Sequence, residues 1–291
     1  MRGWIVHNGF LTHPKHREPV TQLYDSAKRH GLEVDIKTND EIGYVCTSNG
    51  ILMDDVPDFV IFWDKDVRLA RALEMCGIRV FNSSEAIWLC DDKSLTAMVL
   101  SKNGIPIPDT IVAPKSYDSC GYTKQDFLGH VTDNIRFPMV VKECYGSFGE
   151  QVHLFRNEDE VREFLSRNGN VPILFQQFIE SSSGRDIRIN VVGDEAVAAM
   201  HRHSADGDFR ANVTRGGSMR SHEPSDEEKE LAIRSVKALG LDFAGVDILF
   251  GEDGPVVCEV NSNAHMKNIY DCTGIDVSDF IIRYIIREMS K

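Results

Sequence analysis

The 291-residue chain predicts a protein of mixed α/β and α+β class: a small parallel sheet wrapped by helices, then an antiparallel sheet region with a few covering helices. Two observations carry this. Up to about residue 100, short apolar strands alternate with helical stretches closed by glycine; from about 135, strands follow one another and are divided by glycine turns. A third bounds it: 42% apolar and 26% charged residues are the balance of a folded chain. At roughly 100 to 200 residues per domain, the length predicts two or three domains.

The elements follow in order. GWIV at 3–6 opens the first sheet, a charged stretch at 19–31 runs to Gly31, and LEVDI follows at 32–36. DFVIFW at 58–63 is a buried strand, 66–76 a helix ending at Gly77, and IRVF at 78–81 the next strand. Asn82 and Glu85, three apart, read as a capping box, and the helical segment 92–103 is stopped by Gly104, Pro106 and Pro108, a natural joint. The antiparallel region comprises FPMVVKE at 137–143, ILFQQFI at 173–179, DIRINVVG at 186–193 and AVAAMHRH at 196–203. Helices interrupt it at 158–168, capped by Asn157 and Glu160, and at 226–239, where Ser225 and Glu228 form a capping box and Gly240 ends the run.

Charge and cysteine content exclude several functions. With 32 basic against 45 acidic residues the net charge is −13, so a general attraction for nucleic acid or anionic lipid is excluded and any anion site has to be local. The seven cysteines, at 46, 76, 90, 120, 144, 258 and 272, form no CxxC pair and no regular framework. Arg2, Lys15, Arg17 and Glu18 interrupt the first twenty residues, and no apolar run approaches the roughly 20 residues of a membrane span. The expectation is a soluble cytoplasmic protein with neither nucleic acid nor membrane as partner.

Three segments carry chemistry. In VKECYGSFGEQV at 141–152, a strand delivers Lys142 to a loop with Gly146, Ser147 and Gly149, which can bring backbone N–H groups to phosphate oxygens. Between 185 and 220 stand Arg185, Arg188, Arg202, Arg210, Arg215 and Arg220 without a lysine, forks suited to carboxylate or phosphate, or else ordinary ion pairs. In GVDILFGEDGPVVCEVNSN at 245–263, the turn GEDG folds two strands back so that Asp247 returns near Glu259, with Asn261 on the same face. That all-oxygen set suits Mg²⁺; the competing reading is salt bridges to the same arginines. His201 and His203 alternate on one strand and read as site-lining or surface residues rather than metal ligands. WDKD at 63–66 follows a buried strand and faces either the cleft or solvent.

Taken in order, PMVVK (138–142), FQQFIE (175–180), GRDIRINVVGDEAVAAMHR (184–202), GDFRANVTRGG (207–217) and AGVDILFGEDGPVVCEVN (244–261) resemble the ATP-grasp fold, and within it the RimK-like ATP-dependent amino acid ligases. The resemblance spans about 75–290. It implies an N-terminal pre-ATP-grasp domain at 1–94, a central subdomain at 95–174 and a C-terminal subdomain at 175–291, with ATP held between the last two. Lys93 and Lys142 would hold phosphates, Gln177 and Phe178 the adenine, and Asp186 the ribose region, while Arg210, Ala211 and Asn212 match the nucleotide-contact segment. Asp247, Glu259 and Asn261 would bind two Mg²⁺ or Mn²⁺ ions, with Glu259 bridging; Arg202 and Arg210 would stabilise developing charge, and the glycine loop would close over the site.

The implied reaction phosphorylates a carboxylate and passes it to an amine. The partners are ATP, an amino acid, and a carboxylate-bearing small molecule, peptide or protein end; family members often assemble, so a homo-oligomer stays open. The alternatives are an ATP-binding regulatory protein of the same fold and a kinase that stops at phosphoryl transfer. SNAHMKN at 262–268 departs from the family's small turn and places Asn263, His265, Lys267 and Asn268 at the substrate approach.

Overall fold

A computed structural model describes residues 1–146, 149–204, 207–211 and 216–291. The first sheet is built from β1 (Arg2–His7), α1 (Pro14–Arg29), β2 (Glu33–Thr38), the small hairpin β3 (Val45–Thr47) and β4 (Gly50–Leu52), β5 (Phe59–Trp63), α2 (Val67–Met75) and β6 (Arg79–Phe81). Its four strands run parallel in the order β2-β1-β5-β6, and FVIFW of β5 is buried throughout, as a strand covered on both faces must be. The first helix starts earlier than its charge pattern predicts. His13 accepts from Lys15 N, Pro14 takes the first turn where no N–H is missed, and Pro19 sits inside the helix.

α3 (Ser84–Asp91) and α4 (Lys93–Lys102) lead into the second unit. Here the expected capping box is corrected: Ser83 caps α3 by accepting from Ala86 N. Asn82 is fully buried instead and bonds four backbone groups, accepting from Asp242 N and Phe243 N and donating to Phe243 O and Ser262 O. The reason is tertiary: the side chain is drawn away from the helix by two partners 160 and 161 residues distant.

The second unit contains β7 (Thr110–Val112), α5 (Leu128–Asn134), β8 (Met139–Glu143), β9 (Val152–Phe155), α6 (Glu158–Arg167) and β10 (Ile173–Gln177). They form an antiparallel sheet, β7-β10-β8-β9, over a core of its own around Phe175, Val141 and Leu128. β10 continues this sheet through Gln177, so the division expected at 174/175 falls within a strand, and that at 94/95 within α4.

The third unit has β11 (Arg185–Val192), β12 (Glu195–His203), β13 (Ser218–Ser221), α7 (Asp226–Ala238), β14 (Phe243–Gly251), β15 (Gly254–Asn261), α8 (Lys267–Thr273) and α9 (Val277–Met289). The sheet order is β13-β12-β11-β14-β15, all antiparallel. Ser225 and Glu228 make the predicted capping box of α7, whose Leu231, Ala232 and Val236 pack under Ile187, Ile189 and Val246. A separate core joins α9 to α1 and the first sheet through Ile281, Ile282, Ile285, Leu23 and Phe59, fixing the N-terminal sheet against the C-terminal one.

Candidate active site

One cavity of about 890 Å³ is lined by all three sheets and gathers most of the residues singled out in the sequence. One end lies where β10 stops. Gln177, Phe178 and Ile179 line it, and Phe178 meets Phe209 edge-on at 6.2 Å between ring centroids. Gln176, one residue earlier, also lines the cavity but is buried and donates to Thr110 Oγ1 at 2.9 Å.

Lys142 reaches the cavity from β8, flanked by Val140 and Val141 in the core; its Nζ is buried against Cys258 Sγ at 3.5 Å. Burial pushes the Cys258 thiol up from its usual range, against the pull of Lys142. Lys93 opens α4, where Asp92 caps the helix, so its ammonium leaves the first turn toward the glycine loop. Nζ donates to Gly146 O at 3.1 Å and lies 3.8 Å from Glu259 Oε1. Gly146 and Gly149 line the cavity with φ of 131° and 71°, conformations that favour glycine, and a Cβ on Gly146 would meet Gln151 Oε1 at 2.4 Å. Ser147 and Asn212 lie outside the described residues.

Arg210 and Ala211 both line the cavity. Arg210 is tied down on two sides: NH2 pairs with Asp208 at 2.7 Å and NH1 donates to Gly149 O at 2.7 Å and Val152 O at 3.3 Å. It therefore joins the Arg-rich segment to the glycine loop.

The hairpin β14–β15 sets Asp247 opposite Glu259 and Gly245 opposite Asn261; a one-residue irregularity between Asp247 and Ile248 moves the pairing on from Cys258, where the turn's own register would place it. Asp247 is held on both oxygens by Arg188, at 2.7 Å each, and by Arg202 NH2 at 3.0 Å. Arg202 also clasps both oxygens of Asp186, at 2.7 and 2.6 Å. The salt-bridge alternative is thus realised for Asp247, and Asp186, expected near the ribose, has both oxygens engaged. The cause is strand alternation: Asp186 and Arg188 share one face of β11, and Arg202 is the direct cross-strand partner of Asp186. Burial raises the Asp186 carboxyl above its ordinary range. For Asp247 burial acts the same way, but Arg188 and Arg202 outweigh it and hold that carboxyl below.

Arg188 belonged to the arginine group but was assigned no role; the alternation that pairs it with Asp247 was the available signal. His201 and His203 lie on the opposite face of β12 from Arg202, their rings 3.9 Å apart.

The donor set suits a hard cation. Asp247, Glu259 and Asn261 carry side-chain oxygens at one end of a hairpin, all three line the cavity, and Glu259 stays partly open with Lys93 as its charged neighbour. The residues present therefore fit Mg²⁺.

Residues 90–285 match the RimK-like ATP-grasp domain. The chain is 40% identical over 219 residues to a probable alpha-L-glutamate ligase of Syntrophotalea carbinolica, covering 75% of this chain and 70% of that protein. It is 37% identical, with the same coverage, to the ribosomal protein bS6–L-glutamate ligase of Escherichia fergusonii. The ATP-grasp ligase PsnB, solved with a minimal precursor, Mg and ADP, superposes over 99% of this chain and 98% of its own with a TM-score of 0.71 at 18% identity, a likeness of fold. With motif order, cavity and domain match in agreement, the chain belongs to the RimK-like ATP-grasp family of ATP-dependent carboxylate–amine ligases.

Proposed function

We propose that the chain activates a substrate carboxylate with Mg-ATP and joins it to the amine of an amino acid or peptide. A carboxylate oxygen attacks the γ-phosphorus and ADP leaves; the amine then attacks the acyl carbon, the C–O bond to phosphate breaks, and inorganic phosphate is released with the amine's protons. The observation that carries this reading is one cavity in which Lys93, Lys142 and the Asp247–Glu259–Asn261 hairpin end converge with Gln177 and Phe178.

Each residue has a task on this reading. Phe178, with Gln177, positions the base, while Lys142 and Lys93 neutralise phosphate charge at a site where low solvent content strengthens each contact. Gly146 and Gly149 let backbone approach the phosphates. Glu259 and Asn261, with Asp247, would hold two Mg²⁺ or Mn²⁺ ions, which would offset charge on the transferring phosphoryl group. Arg188 orients Asp247, and Arg202 holds both acids of the cluster in one geometry. The seven cysteines are all unpaired, which supports a reducing compartment such as the cytoplasm.

The alternative, a nucleotide-binding regulator, is disfavoured by the complete metal-ligand set. ADP release from Mg-ATP across amino acids, dipeptides and cell extract, with mass spectrometry of positive wells, tests the choice. A product one water lighter than its two parts establishes the ligase. Tight ATP binding with no turnover in any well would overturn it.

A further inference from the structure

The end of the cavity lined by the N-terminal sheet is unused by the nucleotide and metal motifs, and it contains the WDKD segment. β1 and β5 run side by side with His7 opposite Trp63, so the residues that follow, Asn8 and Asp64, meet beyond the carboxyl edge of the sheet. Trp63 stacks on Phe243 of β14 at 5.8 Å, which fixes this edge against the third sheet. Asn8 Nδ2 donates to both Asp64 oxygens, at 3.3 and 3.2 Å, and Lys65 N donates at 2.7 Å. All three contacts are neutral. The Lys65 ammonium turns to Asp91 instead, and among the described residues Asp64 makes no ion pair. Its side chain is buried, and burial pushes the carboxyl up from its usual range. A carboxylate in such a place is costly until a positive charge joins it.

The surroundings supply acceptors. Pro19 has no N–H, so the carbonyl of Lys15 four residues earlier lacks its helical donor; His265 Nε2 lies 2.8 Å from it. A carbonyl only accepts, so Nε2 carries the proton, and Nδ1 is buried without a partner. Asn263 Oδ1 is a second buried acceptor without a partner, and His7 Nδ1 is also unpaired. Gly245 admits the loop that carries these groups: a Cβ there would stand 2.5 Å from Ala264 Cβ. A primary ammonium has one positive charge and three donors.

We propose that Asp64 binds the primary ammonium of the amino-bearing substrate, so that a free amino group is recognised at this end of the cavity. The inference rests on the ligase reading. It is tested on the full chain with Mg-ADP by saturation-transfer NMR, using an equimolar mixture of the twenty free L-amino acids and the same mixture N-acetylated. The expected result is saturation of at least one free amino acid, none for its N-acetyl form, and at least a tenfold weaker interaction in Asp64→Asn with ADP binding unchanged. Equal binding of the acetylated mixture, equal binding by Asp64→Asn, or no amino acid binding while ADP binds would each overturn it. Should Asp64→Asn fail to fold, the comparison of the two mixtures on the wild type decides. Amino acid binding that depends on Asp64 without any ADP release would instead sink the ligase reading and leave this site standing.

Discussion

Replacing Arg202 by methionine removes the one described side chain that touches both Asp186 and Asp247, while keeping a similar apolar length. Asp247 retains Arg188; Asp186 is left buried with no fork across it. Breaking a buried pair by removing one partner costs about 3–5 kcal/mol, which is the loss expected at pH 7.5. The pH dependence distinguishes this cause from poor packing. Burial already raises the Asp186 carboxyl above its unfolded value, and losing Arg202 raises it further. Between the unfolded and folded values the native variant then binds more protons than the unfolded chain, so its stability rises as pH falls through that raised value. The deficit against wild type should therefore shrink from pH 7.5 to pH 5. Urea unfolding followed by tryptophan fluorescence at both pH values measures it. A deficit that stays constant or grows at pH 5 would refute the electrostatic reasoning.

Other consequences follow from the same geometry. Asn82→Ala orphans the N–H groups of Asp242 and Phe243, at about 1–3 kcal/mol each, so unfolding stability should fall by roughly 2–6 kcal/mol. Glu259→Gln should abolish ADP formation and leave the thermal midpoint within a few degrees of wild type, because its one ionic neighbour among the described residues is Lys93 at 3.8 Å; near-normal turnover would remove Glu259 from the metal site. Chelation with EDTA should stop ADP formation reversibly, with Mg²⁺ restoring it, and scarcely move the unfolding transition in urea.

Local patterns were legible and long-range ones were not. That Asp247 returns near Glu259 could be read because the GEDG turn fixes the register to within about one residue; the irregularity beside Asp247 that sets the two directly opposite could not. The α7 box was equally local, with Ser225 and Glu228 satisfying each other. Asn82 carried the same spacing and failed, because its partners lie in another domain and outweigh one helical N–H. The start of α1 was missed because Pro19 reads as a breaker; the lost bond is made good by His265, 250 residues away. Asp64 was visible as a motif, but that its donors are all neutral is a property of side-chain directions alone.

Arginine pairing and metal binding looked like rival explanations of Asp247, yet they answer different requirements. Two buried carboxylates, Asp186 and Asp247, would repel each other and oppose folding if only an ion could compensate them. Arg188 and Arg202 supply two positive charges from the protein itself, so this cluster is balanced and the cavity is formed before any nucleotide arrives. Glu259, one strand over, has among the described residues a lysine at 3.8 Å as its ionic partner. The arginines thus balance the buried acids, and on the proposed reading Glu259 is left available to an ion. That division is why chelation should silence turnover while sparing stability, whereas Arg202→Met should damage stability first.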